Sequence, residues 1–454
     1  MSTNISRRKV VAGAAWAAPV VAASAAVPAF ASSTVCDWES TAAYTADGNA
    51  SGAKGTTSFV VPALVDKIKF EVVGGAGGTN YDDMAAGSGA KITGIIEVKE
   101  GQTVQLIGAA GGIGNGPLSS AEGGEGYGNG GSSNLPTPIP ASVMQRVNAI
   151  WSKDSSLKRI IYSASGGGSS ALVINGTPVA VAGGGGGAGF VNSGGANNNE
   201  QYAAAGAVDA GRLWPSGAKR NVYPVIGSTG GSAEGAAGSA GNQGALTYAA
   251  DTSVTTTVNA GEGGSAGIGG NGGSKTALPT GKSPNGVLGY SSANNQEIYA
   301  SSKSGNQGGD GFKGNGGDGV GSYSYLIDNN DRTKKEEGTK NGKGYALEYE
   351  SIGFNFNGYE SVISAGGGAG YGGGGSGAST SSSAIVLTQK WNNNPNGLRQ
   401  NVGFAQFGGG GGAGGSYVAP GVSGGTITSA GNAPTVRGAR GNGYVKVTLC
   451  KRTA

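Results

Sequence analysis

The stretch Val179-Ala180-Val181-Ala182-Gly183-Gly184-Gly185-Gly186-Gly187-Ala188-Gly189 runs an apolar strand directly into five consecutive glycines. Four further runs of consecutive glycines lie at 166–168, 366–368, 372–375 and 408–412. Because strands with turn signals feed into these runs, the sequence predicts that they form a packed structural core. The alternative is a flexible, linker-like coil, since glycine loses more conformational entropy on ordering than any other residue.

The composition narrows the class of protein. The chain has 454 residues, of which 95 are Gly and only 15 are Pro, and it lacks a Gly-X-Y period, which excludes collagen. Charged residues make up 13% and hydrophobic residues 37%, which disfavours a disordered polyelectrolyte and permits a sizeable core. The sequence has no histidine, which removes Ser-His and Cys-His catalysis and His-ligated zinc.

Residues 1–31 have the pattern of a twin-arginine-type signal peptide. Arg7 and Arg8 lie in Ser-Arg-Arg-Lys-Val-Val, and an uncharged segment rich in Ala and Val follows. Ala-Phe-Ala then ends at Ala31, which predicts cleavage before Ser32 and a secreted or extracellular protein, either free or associated with the cell surface. An ordinary Sec signal and an uncleaved anchor helix remain alternatives.

The charge of the mature chain predicts no nucleic-acid partner and no anionic membrane. Of the 31 basic residues, Arg7, Arg8 and Lys9 lie in the leader, which holds none of the 27 acidic residues. The mature chain is therefore close to neutral. No later apolar run approaches the roughly 20 residues that span a bilayer, so we expect no transmembrane segment after cleavage.

The only two cysteines, Cys36 and Cys450, lie near opposite ends of the mature chain. In an oxidising exterior a bridge between them would close nearly the whole chain and stabilise it by about 4 to 5 kcal/mol. Two buried free thiols are the alternative. Because both cysteines flank predicted strands at the termini, we predict the disulfide.

Hydrophobic periodicity predicts strands along the chain. Residues 65–73 alternate apolar and polar side chains, and 90–99, 102–108 and 443–450 read as further strands. Residues 171–174 and 177–182 flank Asn175-Gly176, the strongest short signal for a hairpin turn.

Three segments interrupt the glycine-rich domain that we place at 32–454. Segment 133–162 contains residues 141–151, whose apolar side chains fall on one helical face and predict a short amphipathic helix over the core, or a partner-binding helix. Segments 190–262 and 279–364 read as polar insertions rich in Ser and Asn with scattered aromatic residues.

The order of these pieces resembles a known family. The pieces are Val61-Pro62-Ala63, Val73 with the glycine stretch 74–78, Glu100-Gly101-Gln102, the runs at 183–187, 372–375 and 408–412, Ser416-Tyr417-Val418, and Gly441-Asn442-Gly443-Tyr444-Val445. This order resembles the glycine-rich domain of the anaplastic lymphoma kinase and leukocyte tyrosine kinase receptors, and secreted bacterial glycine-rich proteins. The resemblance covers most of residues 57–450, although the long insertions depart from the pattern. The receptors' cytokine-binding role is not carried over, because no residue here is tied to it.

The resemblance implies an all-β fold, a jelly-roll-like β-sandwich that carries an inserted bundle of polyglycine helices. Polyglycine can form an extended helix of three residues per turn with a rise of about 3.1 Å. Without side chains, neighbouring helices can lie close enough to hydrogen-bond to one another. Such a bundle satisfies the backbone polar groups that a lone run would leave to solvent.

Several segments match known functional motifs only in part, so we predict no catalytic, cofactor-binding or metal site. Gly-Lys-Ser at 281–283 has Thr276 where a P-loop needs glycine, and Lys313 replaces the Asp of a calcium-binding nonapeptide repeat. Four acidic residues in glycine-rich loops are the remaining candidates for a carboxylate pair that hydrolyses glycosides. They are Glu122, Glu125, Asp310 and Asp318.

The sequence therefore predicts an exported, non-enzymatic bacterial surface or matrix protein. In this hypothesis a rigid glycine-rich scaffold presents loops for adhesion or for binding a protein or glycan ligand. A self-assembling coat or fibre subunit is the main alternative. A secreted carbohydrate-active enzyme and an ice-binding surface are two others.

Overall fold

The structure is a computed structural model of the chain. It describes residues 36–39, 43–80, 86–116, 119–134, 158–195, 208–209, 221–222, 245–248, 252–255, 259–275, 286–288, 296–299, 301–328, 336–340, 343–347, 358–389 and 398–452. The export signal with Arg7, Arg8, Ala31 and Ser32 lies outside these residues, as does the helix expected at 141–151.

Every described element is a β-strand, and these ranges contain no helix. The strands are β1 Cys36–Trp38, β2 Tyr44–Asp47, β3 Gly55–Val60, β4 Val65–Val73, β5 Ala90–Glu97, β6 Thr103–Gly108, β7 Lys158–Tyr162, β8 Ser170–Ile174, β9 Thr177–Ala182, β10 Phe190–Gly195, β11 Val208–Asp209, β12 Asn221–Val222, β13 Ala245–Tyr248, β14 Thr252–Thr255, β15 Gly286–Leu288, β16 Gln296–Tyr299, β17 Ser301–Lys303, β18 Gly321–Asp328, β19 Glu336–Lys340, β20 Lys343–Leu347, β21 Gly358–Ile363, β22 Ser379–Gln389, β23 Leu398–Gly408, β24 Tyr417–Val418, β25 Ser423–Ser429 and β26 Tyr444–Arg452. Within the described residues, no helix is long and apolar enough to cross a membrane.

Two antiparallel sheets share the main hydrophobic core. Sheet A has the order β1–β26–β4–β5–β25, with β2 also paired to β26, and sheet B has the order β24–β9–β8–β6–β3. One cluster of buried side chains draws on both sheets, and its largest fully buried members are Phe70, Ile68, Ile92, Leu106 and Leu172. Each sheet therefore buries one of its faces in the same core.

Strand β4 shows how the sequence pattern produces this core. Its bounds coincide with the predicted strand, and Ile68, Phe70 and Val72 are buried. The intervening residues include Lys69, which is exposed, and Glu71, which is half-buried. Alternation of side chains along a strand thus separates an apolar face from a charged one.

The predicted hairpin at Asn175-Gly176 is confirmed. Strands β8 and β9 pair antiparallel around it, and both turn residues have positive φ angles, 47° for Asn175 and 79° for Gly176. These angles suit the two-residue hairpin turns that favour Asn-Gly. The Asn175 side chain also accepts a hydrogen bond from the Thr103 amide at 2.9 Å, which links the turn to β6.

Further strands lie inside the segments that the sequence predicts as insertions, and some of them pair with β22 and β23, which lie outside those segments. Sheet C has the order β16–β18–β21–β7, and sheet D has the order β10–β23–β22–β15 with β17 also on β22. Two pairs of buried serine hydroxyls connect β18 of sheet C to β22 of sheet D, Ser322 with Ser379 at 2.7 Å and Ser324 with Ser381 at 2.8 Å. The pairs β11–β12, β13–β14 and β19–β20 form two-stranded sheets.

The glycine runs are buried and, apart from Gly408 at the end of β23, lie in neither helix nor strand. Their backbone groups bond sideways to other runs. Gly184 donates its N–H to the Ala369 carbonyl at 2.7 Å, and Gly187 donates to the Gly366 carbonyl at 3.0 Å. Residues three apart on one run therefore bond to residues three apart on the next.

This three-residue spacing recurs among the runs. In five further pairs, two N–H groups three residues apart donate to two carbonyl groups three residues apart. The bonds are Gly185 to Gly75 with Ala188 to Gly78; Gly366 to Ala164 with Ala369 to Gly167; Gly367 to Gly317 with Gly370 to Gly314; Gly368 to Gly412 with Tyr371 to Gly415; and Gly411 to Gly187 with Gly414 to Gly184. Part of the predicted insertion 279–364 belongs to this layer, since Gly314 and Gly317 are among the acceptors. We call the hydrogen-bonded runs the glycine layer.

Only glycine fits at the closest approaches in the glycine layer. A Cβ atom on Gly184 would lie 2.2 Å from the Gly167 carbonyl oxygen, and real Cβ atoms essentially never come within 3.0 Å of a neighbour. The neighbouring atoms are backbone, so the obstruction cannot be relieved by a side-chain movement. The glycines are thus a requirement of the close packing between runs.

Candidate functional site

Three aromatic rings meet where several runs of the glycine layer end. The ring centroids of Phe312 and Tyr371 are 4.6 Å apart with planes at 23°. Tyr417 packs against both, at 4.9 Å from Phe312 with planes at 77° and at 5.1 Å from Tyr371. All three side chains are half-buried, so each still presents surface to solvent. We call these residues the aromatic trio.

Backbone hydrogen bonds fix the position of each ring. Tyr371 donates its N–H to the Gly415 carbonyl at 2.8 Å, two residues before Tyr417. Gly372 donates to the Gly311 carbonyl at 2.9 Å, immediately before Phe312. Strand β24 in turn pairs Tyr417 with Val181 of β9, so the trio joins the end of the glycine layer to the edge of sheet B.

Two rings of the trio, with Tyr127, also pack against the outer face of sheet B. Ala171, Val173 and Val181 form a small buried cluster there, against which Tyr127, Phe312 and Tyr417 pack. The Lys313 ammonium lies 5.0 Å from the centroid of the Tyr127 ring, within the range of a cation–π interaction. Partial burial raises the pKa of the Tyr127 hydroxyl.

An exposed aliphatic residue extends this apolar surface. Ile268 is 65% exposed and follows Gly267, whose α-carbon faces the edge of the Tyr371 ring. Asp310 lies two residues before Phe312, and its carboxylate accepts a hydrogen bond from the Gly269 amide at 2.8 Å. The surface around the trio therefore combines ring faces and an aliphatic side chain with one cation and one carboxylate.

Glu122 and Asp318, two of the four acidic candidates, meet at a single serine. Ser132 donates its hydroxyl to Glu122 Oε2 at 3.1 Å and its backbone N–H to Asp318 Oδ1 at 2.8 Å. The Asn134 amide also donates to Glu122. Both carboxylates are exposed, and these contacts fasten the segment 119–134 to the segment 301–328.

The other two acidic candidates do not join that pair through any hydrogen bond between described residues. Glu125 is exposed, and Asp310 is held near the aromatic trio through Gly269. The described part of the chain contains no group of three or more Cys, Asp or Glu side chains placed to hold a metal ion. That the chain has no catalytic, cofactor or metal site stays a prediction.

A polar cleft of about 500 Å³ lies beside β17 and the start of β18. Its lining includes Lys275, Lys303, Ser302, Ser304 and Asn306. Neither lysine has a carboxylate partner among the described residues. Two ammonium groups beside hydroxyl and amide groups would attract an anion.

A charged network lies on the outer face of sheet A. Tyr444 donates its hydroxyl to Glu71, and Lys91 Nζ lies 2.9 Å from the other oxygen of Glu71. Burial opposes ionisation of Glu71, but the hydrogen bonds from Lys91 and Tyr444 and the charges of Lys91 and Lys446 outweigh it and lower its pKa. Burial and the bond to Glu71 raise the pKa of Tyr444 to about 12. The network ties β4, β5 and β26 together.

Cys450 is buried in β26 and is disulfide-bonded. Cys36, the other cysteine of the sequence, lies in β1, which pairs antiparallel with β26 and places Cys36 opposite Arg452. The neighbouring strand positions support the predicted pairing of Cys36 with Cys450, which we retain as a proposal.

Comparison with protein-family models gave no match, and comparison with curated protein sequences also gave none. The function of this chain is therefore inferred from its own side chains and backbone. The aromatic trio was not predicted as a site. Each of its residues lies within two positions of a glycine, in Asp-Gly-Phe, Gly-Tyr-Gly and Gly-Ser-Tyr, and this placement was the available signal.

Proposed function

We propose that this chain is an exported, non-enzymatic bacterial surface or matrix protein, in which a rigid glycine-rich scaffold presents binding surfaces. The observation that carries the proposal is the lateral hydrogen bonding of the glycine layer. A backbone held by neighbours on several sides has little freedom to move, so side chains at the ends of the runs keep fixed positions. Fixed positions reduce the entropy cost of binding.

The same hydrogen bonds support a bundle of polyglycine helices. An extended helix with three residues per turn directs every third N–H toward the same neighbour. The run that begins at Ala365 has this spacing, because Ala365, Gly368 and Tyr371 donate in turn to Gly409, Gly412 and Gly415. Sheets A and B, with their common core, would form the β-sandwich at the base of the bundle, in the jelly-roll-like arrangement that the family resemblance implies.

Export accounts for other features of the chain. The leader with Arg7 and Arg8 and the cleavage signal at Ala31 support transport of an already folded protein. A disulfide at Cys450 suits an oxidising location. The near-neutral mature chain favours recognition of a protein or glycan surface over binding to nucleic acid.

Export and surface binding are tested together in a bacterial host that has a twin-arginine translocase. The full chain should appear outside the cytoplasm as a shorter product that begins at Ser32, and the variant R7K/R8K should remain inside. The purified mature protein should bind envelope fractions, host-cell surfaces or arrayed glycans. Cytoplasmic retention of the wild-type chain would contradict export, and failure to bind any of these surfaces would contradict the adhesive role.

A self-assembling structural subunit is the second candidate function. Strand β25 lies at the edge of sheet A, and its sequence Ser-Gly-Gly-Thr-Ile-Thr-Ser has neither a charged residue nor a proline. Charged residues and proline are common means of blocking edge-to-edge pairing, although the bulge between Ser423 and Thr426 is another. Sedimentation at increasing concentration decides between the two functions: larger species support assembly, and a strict monomer contradicts it.

A further inference from the structure

The two tyrosines of the aromatic trio and the neighbouring Tyr127 have hydroxyl groups that lack partners among the described residues. Among the described residues, the hydroxyls of Tyr127, Tyr371 and Tyr417 make no hydrogen bond. Tyr444 differs, because its hydroxyl donates to Glu71. A buried tyrosine usually finds a partner for its hydroxyl, whereas these half-buried rings direct theirs to no described group. The surface therefore offers ring faces and hydrogen-bonding groups together.

The charges beside the trio balance each other. Lys313 supplies one ammonium group above the Tyr127 ring, and Asp310 supplies one carboxylate, of which one oxygen accepts the Gly269 amide. A polyanion or a polycation would gain little from such a surface. A neutral ligand that carries many hydroxyl groups would meet donors and acceptors of both kinds.

The size of the surface argues against a second protein chain as the occupant. Stable protein interfaces use about 20 to 30 residues on each side. Here Ile268 is largely exposed, while Tyr127 and the three rings of the trio are already half-buried. With Lys313 and Asp310 these make seven residues, far fewer than a protein interface uses, and this number suits a ligand of one or two sugar rings.

We propose that the aromatic trio, with Tyr127, Ile268, Lys313 and Asp310 around it, binds neutral pyranose units of a polysaccharide or glycan. A pyranose ring has a face of C–H groups with small positive partial charges, and the face of an aromatic ring is negative, so the two attract each other. The sugar hydroxyls at the rim would bond to the free phenol hydroxyls, to the ammonium of Lys313 and to the carboxylate of Asp310. This proposal rests on the surface-binding function above and names the ligand class of one site.

The fixed backbone adds to the affinity of such a site. Tyr371 and Gly372 are hydrogen-bonded to Gly415 and Gly311, which lie next to the other two ring-bearing segments. The rings are therefore held in place before the ligand arrives, and little ordering remains to oppose binding.

The test uses the purified mature protein and five neutral oligosaccharides: hexamers of β-1,4-glucose, β-1,3-glucose, β-1,4-xylose, β-1,4-mannose and β-1,4-N-acetylglucosamine. Binding is measured by isothermal titration calorimetry and by NMR of the aromatic ring protons. We expect at least one hexamer to bind and to shift ring signals. Y371L/Y417L should weaken its affinity at least tenfold, and Y371F/Y417F by a few-fold. Y444F is the matched control for loss of one tyrosine hydroxyl and should bind like wild type.

Each result bears on one of the two proposals. Unchanged affinity in Y371L/Y417L, or no binding of any neutral hexamer by a protein that still adheres to cells or envelope, would overturn the trio as a sugar site and leave the surface function intact. Polygalacturonate is added to the same assay as an acidic polymer; if it alone binds and K275Q/K303Q abolishes that binding, the trio is overturned as well, in favour of the polar cleft. If Y371L/Y417L does not fold, the shifts of the wild-type ring signals decide, because a ligand elsewhere would leave them unmoved.

Discussion

A Cβ atom on Gly368 would lie 2.1 Å from the carbonyl oxygen of Gly184. The same oxygen accepts a hydrogen bond from the Gly414 amide at 2.9 Å. Two runs that are far apart in sequence thus lie so close that no side chain fits between them, while a third run bonds to one of them. Glycine at such positions is therefore needed for the stability of the whole domain.

Replacement of Gly368 by alanine should destabilise the protein by about 3 kcal/mol or more. Overpacking of a core typically costs about 1 to 3 kcal/mol. Displacement of the run would also strain its bonds to Gly412 at 2.8 Å and from Gly374 at 2.7 Å, each with a net value of about 1 kcal/mol. Urea unfolding of the mature protein measures the change in the free energy of unfolding.

The control for this substitution is Gly421→Ala. A Cβ atom there would meet only the end of the Ile96 side chain at 3.5 Å, which is an ordinary contact. We expect a change within about 1 kcal/mol. Equal effects of the two substitutions would contradict the close packing of runs.

Removal of the disulfide should lower the free energy of unfolding by about 4 to 5 kcal/mol, because the unfolded chain regains the entropy of a nearly full-length loop. The variant C36S/C450S and the reduced wild-type protein should behave alike. Peptide mapping without reductant should recover Cys36 and Cys450 in one linked fragment. A fragment that contains Cys450 with a free thiol would contradict the pairing.

The Glu71 network should make stability depend on pH in the acid range. The folded-state pKa of Glu71 lies below its ordinary value of 4.5, so its contribution is fully present above that pH and is lost as the pH falls through the folded pKa. Glu71→Gln should therefore be less stable than wild type at pH 7, and the difference should shrink below about pH 4.5. Gln105→Asn, at an exposed position on strand β6, exchanges one uncharged amide side chain for another; it is the control, and its difference from wild type should not change with pH. For Glu71→Gln, a difference that does not change with pH would contradict the role of the charge.

The sequence predicted much of sheets A and B. The alternation of apolar and polar residues predicted β4 with its observed bounds. Asn175-Gly176 predicted the hairpin, whose two turn residues both have positive φ angles. Both predictions succeeded because their signals are local in the sequence. Strands β18, β21 and β23 were not predicted. Few of their residues are aliphatic, and their pairing, such as that of β18 with β21, joins segments that are distant in sequence.

The aromatic trio could not be predicted for a similar reason. Phe312, Tyr371 and Tyr417 come from three separate parts of the chain, and each alone resembles an isolated aromatic residue between glycines. The lateral bonds of the glycine layer and the pairing of β24 with β9 bring them together. The predicted acidic candidates Glu122 and Asp318 do approach a common serine, but they were chosen by residue type and not by position in space.

Hydrogen exchange of the glycine amides tests the central claim that the glycine runs form a hydrogen-bonded scaffold. Peptides that cover residues 183–189, 365–377 and 408–416 should be as protected from exchange as strands β4 and β26, because their N–H groups are buried and bonded to neighbouring runs. Exchange of these peptides at the rate of an unstructured chain, while β4 and β26 remain protected, would contradict the scaffold.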